Sequence, residues 1–319
     1  MSFHCKSIRY YRCGSDKRNG AMTMFLRIFL HGFLLLNLTS LHLAQQENDI
    51  ISVDSSLVLL NAAILDASGK HVSGLQQKHF KILENGAPQE ISFFSSEETP
   101  FAAVLLLDTS GSMEERVSMA RSAAIRFLDG LRPDDSAAIY RFDSKVSLVQ
   151  EFSGSRDIIE KIFDLKADGM TALNDAIVKA ANDLSKRPEK RRAVVVLSDG
   201  EDTISRHSAS KALKAALDAD VAIYTIDMAT VNTSGKQRMQ NQVVLRNFAE
   251  KTGGRFVSTP GGVAMRDAFK NIVDELGVQY TLGYHPSNLK KDEKWRAIEL
   301  IVSRPNLTIR TRKGYTAKK

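Results

Sequence analysis

At 319 residues, 43% hydrophobic and 25% charged, the chain has the composition of a globular protein with room for one large domain or two smaller ones, which excludes a disordered tail protein. The formal charge of +7 sits mostly at one end: before Gln45, Lys6, Arg9, Arg12, Lys17, Arg18 and Arg27 face only Asp16, a net +5 that leaves +2 for the remainder. Apart from a short C-terminal run of Arg310, Arg312, Lys313, Lys318 and Lys319, nothing offers the clustered basic face that phosphate backbones require, so nucleic acid is not an expected partner.

Residues 1–44 read as a leader. Phe25 to Ala44, FLRIFLHGFLLLNLTSLHLA, is an apolar stretch behind a basic start, with Ser40 and Ala44 as candidate cleavage positions. A start at Met22 or Met24 would shorten its n-region to the usual length. The expectation is an exported protein, secreted, periplasmic or on the cell surface. The alternative is an uncleaved N-terminal anchor, because His42 is a poor residue three positions before a cut and the stretch approaches spanning length; a membrane is a partner only in that case. Cys5 and Cys13 both lie in the leader, so the mature body is expected to hold no disulfide, thiolate ligand or cysteine nucleophile.

Residues 45–99 alternate apolar and polar side chains in the β manner, ISVDSSLVLLNAAILDASGK and then HFKILENGAPQEISFFS, broken at Ser68-Gly69 and Asn85-Gly86. Three to five antiparallel strands follow, too few to cover both of their own faces. Over 100–277 the pattern becomes continuous apolar runs alternating with amphipathic segments. AAVLLLD, SAAIYRFD, VSLVQEF, AVVVLSD, VAIYTID and RFVST read as strands. MEERVSMARSAAIRFLDGL, a segment around Ile158 to Leu165, ALNDAIVKAANDLSKR, ASKALKAALDAD, VVLRNFAEKTG and Val263 to Leu276 read as helices. Runs such as Val104 to Leu107 and Val194 to Leu197 are what strands buried on both faces need, so the predicted fold is α/β: a doubly wound, mostly parallel sheet flanked by helices. Residues 278–319 return to β character in YTLGYHP, WRAIELIVS and LTIRTRKGY, and are expected to pair with the N-terminal strands as a small β-rich module, because both pieces lack a partner sheet.

In open α/β sheets ligands bind where loops leave the carboxyl ends of strands. The first run, VLLL, ends in Asp108-Thr109-Ser110-Gly111-Ser112 directly before a helix; the fourth, VVVL, ends in Ser198-Asp199-Gly200-Glu201-Asp202; between them Gly169-Met170-Thr171-Ala172 precedes another helix. Taken singly, Asp108 or Ser110 reads as a helix cap, Thr171 as another and Asp199-Gly200 as a turn. Three such loops at strand ends of one sheet point instead to a metal site. Hydroxyls and carboxylates without His or Cys form a hard-oxygen set, suited to Mg²⁺, Mn²⁺ or Ca²⁺ and poorly suited to zinc.

Asp-x-Ser-x-Ser after a buried strand, a Gly-x-Thr loop and Asp-Gly-x-Asp after a later strand, in that order, resemble the metal-ion-dependent adhesion site of von Willebrand factor type A (vWA) domains. The resemblance covers about Pro100 to Leu276, and the flanking YTLGYHPSN and RKGY resemble bacterial secreted vWA-related proteins. It implies a metal held directly by Ser110, Ser112 and Thr171, with Asp108 and Asp199 acting mainly through water, and an open position that accepts an acidic side chain of a partner protein. All five positions carry the residue the motif requires. The implied function is protein binding rather than catalysis. The alternatives are a Mg²⁺-dependent hydrolase, which lacks a candidate base and a phosphate-binding loop in this sequence, and a structural vWA subunit of an exported complex. Glu201 and Asp202 are read as loop acids that either touch the site or are solvated. His207 is read as a surface histidine, Trp295, Tyr280 and Tyr284 as core or rim aromatics of the β-module, and Met113 and Met119 as core packing. The sequence is silent on oligomeric state.

Overall fold

A computed structural model of the chain describes residues 57–155, 162–229, 235–258 and 263–318. The leader expected over 1–44 lies outside the described residues.

Six strands form the central sheet: β5 (Phe101–Asp108), β6 (Ser136–Phe142), β7 (Val146–Ser153), β8 (Arg191–Ser198), β9 (Val221–Asp227) and β10 (Phe256–Ser258), in the order β10-β9-β8-β5-β6-β7. All neighbours are parallel except the β6–β7 pair, an antiparallel edge. Among the described residues the α-helices are, in chain order, α1 (Val117–Asp129), α2 (Leu173–Leu184), α3 (Ala209–Asp218), α4 (Gly235–Thr252) and α5 (Val263–Gly277). The unbroken apolar run of β5 is explained by two cores. Phe101, Ala103, Leu105 and Leu107 pack with Phe127 of α1 and Phe269 of α5, whereas Ala102, Val104 and Leu106 pack with Ile177 of α2 and Phe248 of α4. A period of two with both faces apolar is the requirement for a strand between two helical layers. From β5 the chain winds outward through β6 and β7, then returns to the other side of β5 with β8. The direction of winding therefore reverses between β5 and β8, which places the ends of both strands at the switch point.

The flanking segments form two further four-stranded sheets. β1 (Val58–Leu65) pairs antiparallel with β11 (Tyr280–Tyr284), Val58 opposite Tyr284, and with β13 (Thr308–Arg310); β4 (Ile91–Ser95) completes that sheet in the order β13-β1-β11-β4. The other sheet has the order β14-β12-β2-β3, built from β2 (Phe80–Glu84), β3 (Ala87–Gln89), β12 (Trp295–Val302) and β14 (Gly314–Thr316). Leu60, Ile82, Leu282 and Leu300 share one apolar core. The β2–β3 hairpin turns on Asn85 (φ 50°) and Gly86 (φ 83°), the paired positive φ values that an Asn-Gly turn supplies. Inside this module the Glu84 carboxylate accepts from Tyr284 Oη (2.7 Å), Tyr315 Oη (2.8 Å) and Arg296 (3.2 Å).

Arg191, fully buried at the start of β8, donates to the carbonyls of Gly277 (2.7 Å), Leu276, Gln279 and Glu97 (3.0 Å). It thereby ties the end of α5 and both strand connections to the central sheet. Burial in this carbonyl cage pulls its pKa down to about 10.

The architecture is the predicted one, a mostly parallel sheet between helices with a small antiparallel module, and three local features differ from expectation. Helix α4 begins at Gly235, eight residues before the expected Val243, because Gly235 to Gln242 is mostly exposed and shows no apolar stripe. Of the helix expected around Ile158 to Leu165, residues 158–161 lie outside the described ones; Phe163 to Leu165 are not helical, and Ile162 and Leu165 are buried against α1. The segment before α1 is a 3-10 stretch, Gly111–Arg116. Among the described residues no helix is long and apolar enough to cross a membrane.

Candidate metal centre

β5 delivers Asp108 to the switch point with its side chain fully buried. Ser110 folds back on it: the Ser110 amide and hydroxyl both donate to Asp108 Oδ1, at 3.0 and 2.6 Å, and Ser110 Oγ lies 3.2 Å from Ser112 Oγ. Ser110 stands at the N-cap of the 3-10 stretch yet makes no side-chain cap bond, so its hydroxyl is committed to the site rather than to the helix. Ser112 is exposed and Thr171 buried. On the other side of Asp108, Ser198 Oγ donates to Oδ2 at 2.6 Å while accepting from the Gly200 amide at 3.0 Å. The carboxylate is thus held by the end of β8 as well as by its own loop.

Thr171 and Asp199 reach this group through their neighbours. The Gly111 amide donates to the Gly169 carbonyl (3.1 Å) and the Asp168 amide to the Thr109 carbonyl (2.9 Å), which lays the Gly169-Met170-Thr171 loop along the first. Gly169 (φ 77°) turns the chain there. The N-cap of α2 is Ala172, with no side-chain cap bond, so Thr171 is not the helix cap that it resembles in isolation. Asp199 is buried and follows Ser198 directly; its Oδ1 accepts from the Glu201 amide (3.0 Å), and Gly200 has φ 83°. The turn reading of Asp199-Gly200 therefore holds as local geometry, and that turn carries Asp199 beside Asp108.

The electrostatics are one-sided. Burial is the largest influence on Asp108 and pushes its pKa up to about 7, against the hydrogen bonds from Ser110 and Ser198 that favour the anion, and the Asp199 carboxylate pushes the same way as burial. After burial, the largest influences on this balance are two hydroxyls, an amide and another acid. A desolvated carboxylate next to a second one, ringed by hydroxyl oxygens, fits a divalent cation of hard-oxygen preference. Among the described residues no three His, Cys, Asp or Glu side chains gather as a metal set, so any cation here has to draw on the serine and threonine hydroxyls.

Several residues that shape the site carry no local signal in the sequence. Ser198 is one more small polar residue at a strand end, yet it holds Asp108. The Thr109 hydroxyl lies 3.3 Å from Asp143 Oδ2, and the Asp143 carbonyl accepts from the Ala172 amide (2.9 Å), which joins the β6 end to both loops. Of the two loop acids, Glu201 is half-buried, and Asp202 is exposed and takes a hydrogen bond from Asn174. His207 is not a free surface histidine: it is half-buried, with Nδ1 2.6 Å from Asp175 Oδ1. Met113, Tyr280 and Tyr284 are buried, as packing residues should be, while Trp295 is 45% exposed.

Residues 103–201, from the middle of β5 to the loop that bears Asp199, match the family model described as von Willebrand factor type A domain. The chain carries a vWA domain. A curated protein of Synechocystis sp., described as "Uncharacterized protein sll0103", is 32% identical over 108 residues, and the match spans 32% of this chain and 26% of that protein, about a quarter of its length. Among solved structures, the vWF domain of the type V pili tip protein Mfa5 from Porphyromonas gingivalis matches at 15% identity and a TM-score of 0.47, covering 57% of this chain and 97% of that one. A von Willebrand factor type A protein from Catenulispora acidiphila matches at 12% identity and 0.44, covering 82% and 74%. The PilB minor pilin from Streptococcus sanguinis matches at 16% and 0.46, covering 57% of this chain and 62% of that one.

Proposed function

We propose that the vWA domain is a divalent-metal adhesion module: Ser110, Ser112 and Thr171 hold Mg²⁺, or Mn²⁺ or Ca²⁺ in its place, and an acidic side chain of a partner protein completes the coordination. The observation that carries the reading is the buried Asp108 carboxylate, which is bridged to Ser110 and through it to Ser112 and is held on its other side by Ser198. A serine hydroxyl has one proton and two lone pairs. By donating to Asp108, Ser110 turns its lone pairs outward, which favours the hydroxyl as the direct ligand and leaves Asp108 and Asp199 to act through water. When bound, the metal supplies a surplus of positive charge at the switch point, and a partner carboxylate gains a charge-assisted contact on a rigid platform. Beside Thr171, Met170 and Ile204 are 49% and 44% exposed, and the Ile204 amide donates to the Thr171 carbonyl, so the rim can add apolar contact to the acidic one.

A binding role rather than catalysis belongs to the same reading, as does an exported location, which rests on the pattern of residues 25–44 alone. The test is calorimetry of Mg²⁺ and Mn²⁺ with the whole chain, alongside the Ser110→Ala, Ser112→Ala double variant and an EDTA control. Saturable binding that the double variant loses supports the module; a double variant that binds as well as the wild type contradicts it.

A further inference from the structure

Residues 203–207, beyond the Asp199 turn, are stitched onto residues 171–175 by a continuous series of hydrogen bonds. The Thr171 amide donates to Thr203 Oγ1 (2.9 Å), and the amides of Thr203 and Ile204 both donate to the Thr171 carbonyl (2.9 and 3.1 Å). One turn further on, the Asp175 amide donates to Ser205 Oγ (3.1 Å). The Asp175 carboxylate takes the Arg206 amide (3.1 Å), the His207 amide (3.0 Å) and His207 Nδ1 (2.6 Å). Burial opposes ionisation of Asp175, but these donors outweigh it and its pKa lies below the ordinary value.

Neither Asp175 nor any strap residue belongs to the oxygen set. The loop is also fastened on either side of Thr171, by the Met170 amide to Ser144 Oγ (3.0 Å) and the Ala172 amide to the Asp143 carbonyl (2.9 Å), while the amide and carbonyl of Thr171 itself bond to the strap. We propose that Thr203 and Asp175 are positioning residues: the strap 203–207 clamps Thr171 against the Asp199 loop, and so sets the affinity of the site for its metal. This rests on the reading of the site as a metal centre. A hydroxyl held in place before the ion arrives loses little freedom on coordination, whereas an unclamped one must be ordered by the ion itself. Because the strap joins the two loops main chain to main chain, displacing it moves two positions of the set together.

The experiment is Mg²⁺ calorimetry on the whole chain as wild type, Thr203→Val, Thr203→Ser and Asp175→Asn, with metal-free hydrogen exchange of the amides of residues 203, 204, 206 and 207. Valine keeps the shape of threonine and removes the acceptor for the Thr171 amide; serine keeps the acceptor and removes the methyl. The expected result is an affinity roughly tenfold weaker for Thr203→Val and for Asp175→Asn, in the range of outer-shell substitutions at metal sites, with Thr203→Ser within about twofold of the wild type and the strap amides exchanging faster in the two weakened variants. Thr203→Val and Asp175→Asn binding as the wild type does would overturn the inference while leaving the metal centre standing. So would the reverse order, with valine tolerated and serine weak, because that is the signature of packing. If Thr203→Val fails to fold, Asp175→Asn decides by the same criterion. A wild type that binds no Mg²⁺ overturns the metal reading, and the inference falls with it.

Discussion

Replacing Asp108 by asparagine should stabilise the metal-free protein at pH 8 while abolishing its response to metal. The folded protein holds the Asp108 proton up to about pH 7, and the unfolded chain releases it near the ordinary value of 3.8. Below pH 4 the carboxyl is protonated in both states and costs nothing. Between 4 and 7 only the unfolded chain gains by ionising, so stability falls as pH rises; above 7 both states are ionised and the loss is constant. At about 1.4 kcal/mol per pH unit, the total is about 4 kcal/mol. Asparagine removes that cost, keeps an oxygen for the Ser110 donors, and obliges Ser198 to turn its hydroxyl, a change of about 1 kcal/mol. The variant should therefore be more stable than the wild type by about 3 kcal/mol at pH 8 in EDTA and about equal or slightly weaker at pH 4. Urea denaturation of both proteins at the two pH values reads this difference, and common effects of pH cancel in it. Added Mg²⁺ should then raise the wild-type midpoint only. A gap between the two proteins that stays the same at both pH values would refute the reasoning, since burial of the charge would then not be the source of the cost.

Arg191→Met should destabilise the protein by about 3 kcal/mol or more, because it strands the buried carbonyls of Leu276, Gly277 and Gln279 and loses the bond to Glu97; Arg191→Lys should recover only part of this, and a urea midpoint unchanged by the methionine would argue against the cage as a fastening. Gly200→Ala requires an L-residue at φ 83° and puts a Cβ 2.8 Å from the Asn241 carbonyl oxygen, so α4 or the Asp199 turn must move. The expected outcome is a stability loss of about 2 kcal/mol together with weakened Mg²⁺ binding, checked by denaturation and calorimetry on one preparation. In the β-module, Tyr284→Phe should cost about 1–2 kcal/mol in urea denaturation, since it removes a buried donor from Glu84, and it should leave Mg²⁺ affinity unaltered.

What could be read from the sequence was what depends on neighbours along the chain. The runs of β5 and β8 announce strands covered on both faces, and Asp108, Ser110 and Ser112 fall within five residues, so one loop suffices to bring them together. The pairing of β1 with β11 followed from two β-pieces with no partner sheet of their own, though its register, Val58 opposite Tyr284, did not. The first half of α4 escaped because Gly235 to Gln242 has no apolar stripe to reveal a helix. Ser198, Thr203, Asp175 and His207 escaped for a different reason. Their roles are hydrogen bonds to loops 32 to 90 residues away, and nothing in a serine or histidine's own surroundings in the chain records such a partner. Arg191 reads as one more basic residue ahead of a strand, and only the fold shows that its guanidinium is enclosed.

The most direct test of the adhesion-site account is the anomalous difference density from crystals of the protein grown with Mn²⁺. The account predicts a peak within bonding distance of the hydroxyls of Ser110, Ser112 and Thr171, with Asp108 and Asp199 behind it. Crystals that bind Mn²⁺ elsewhere, or that show no peak at these hydroxyls at a concentration saturating in calorimetry, would contradict it.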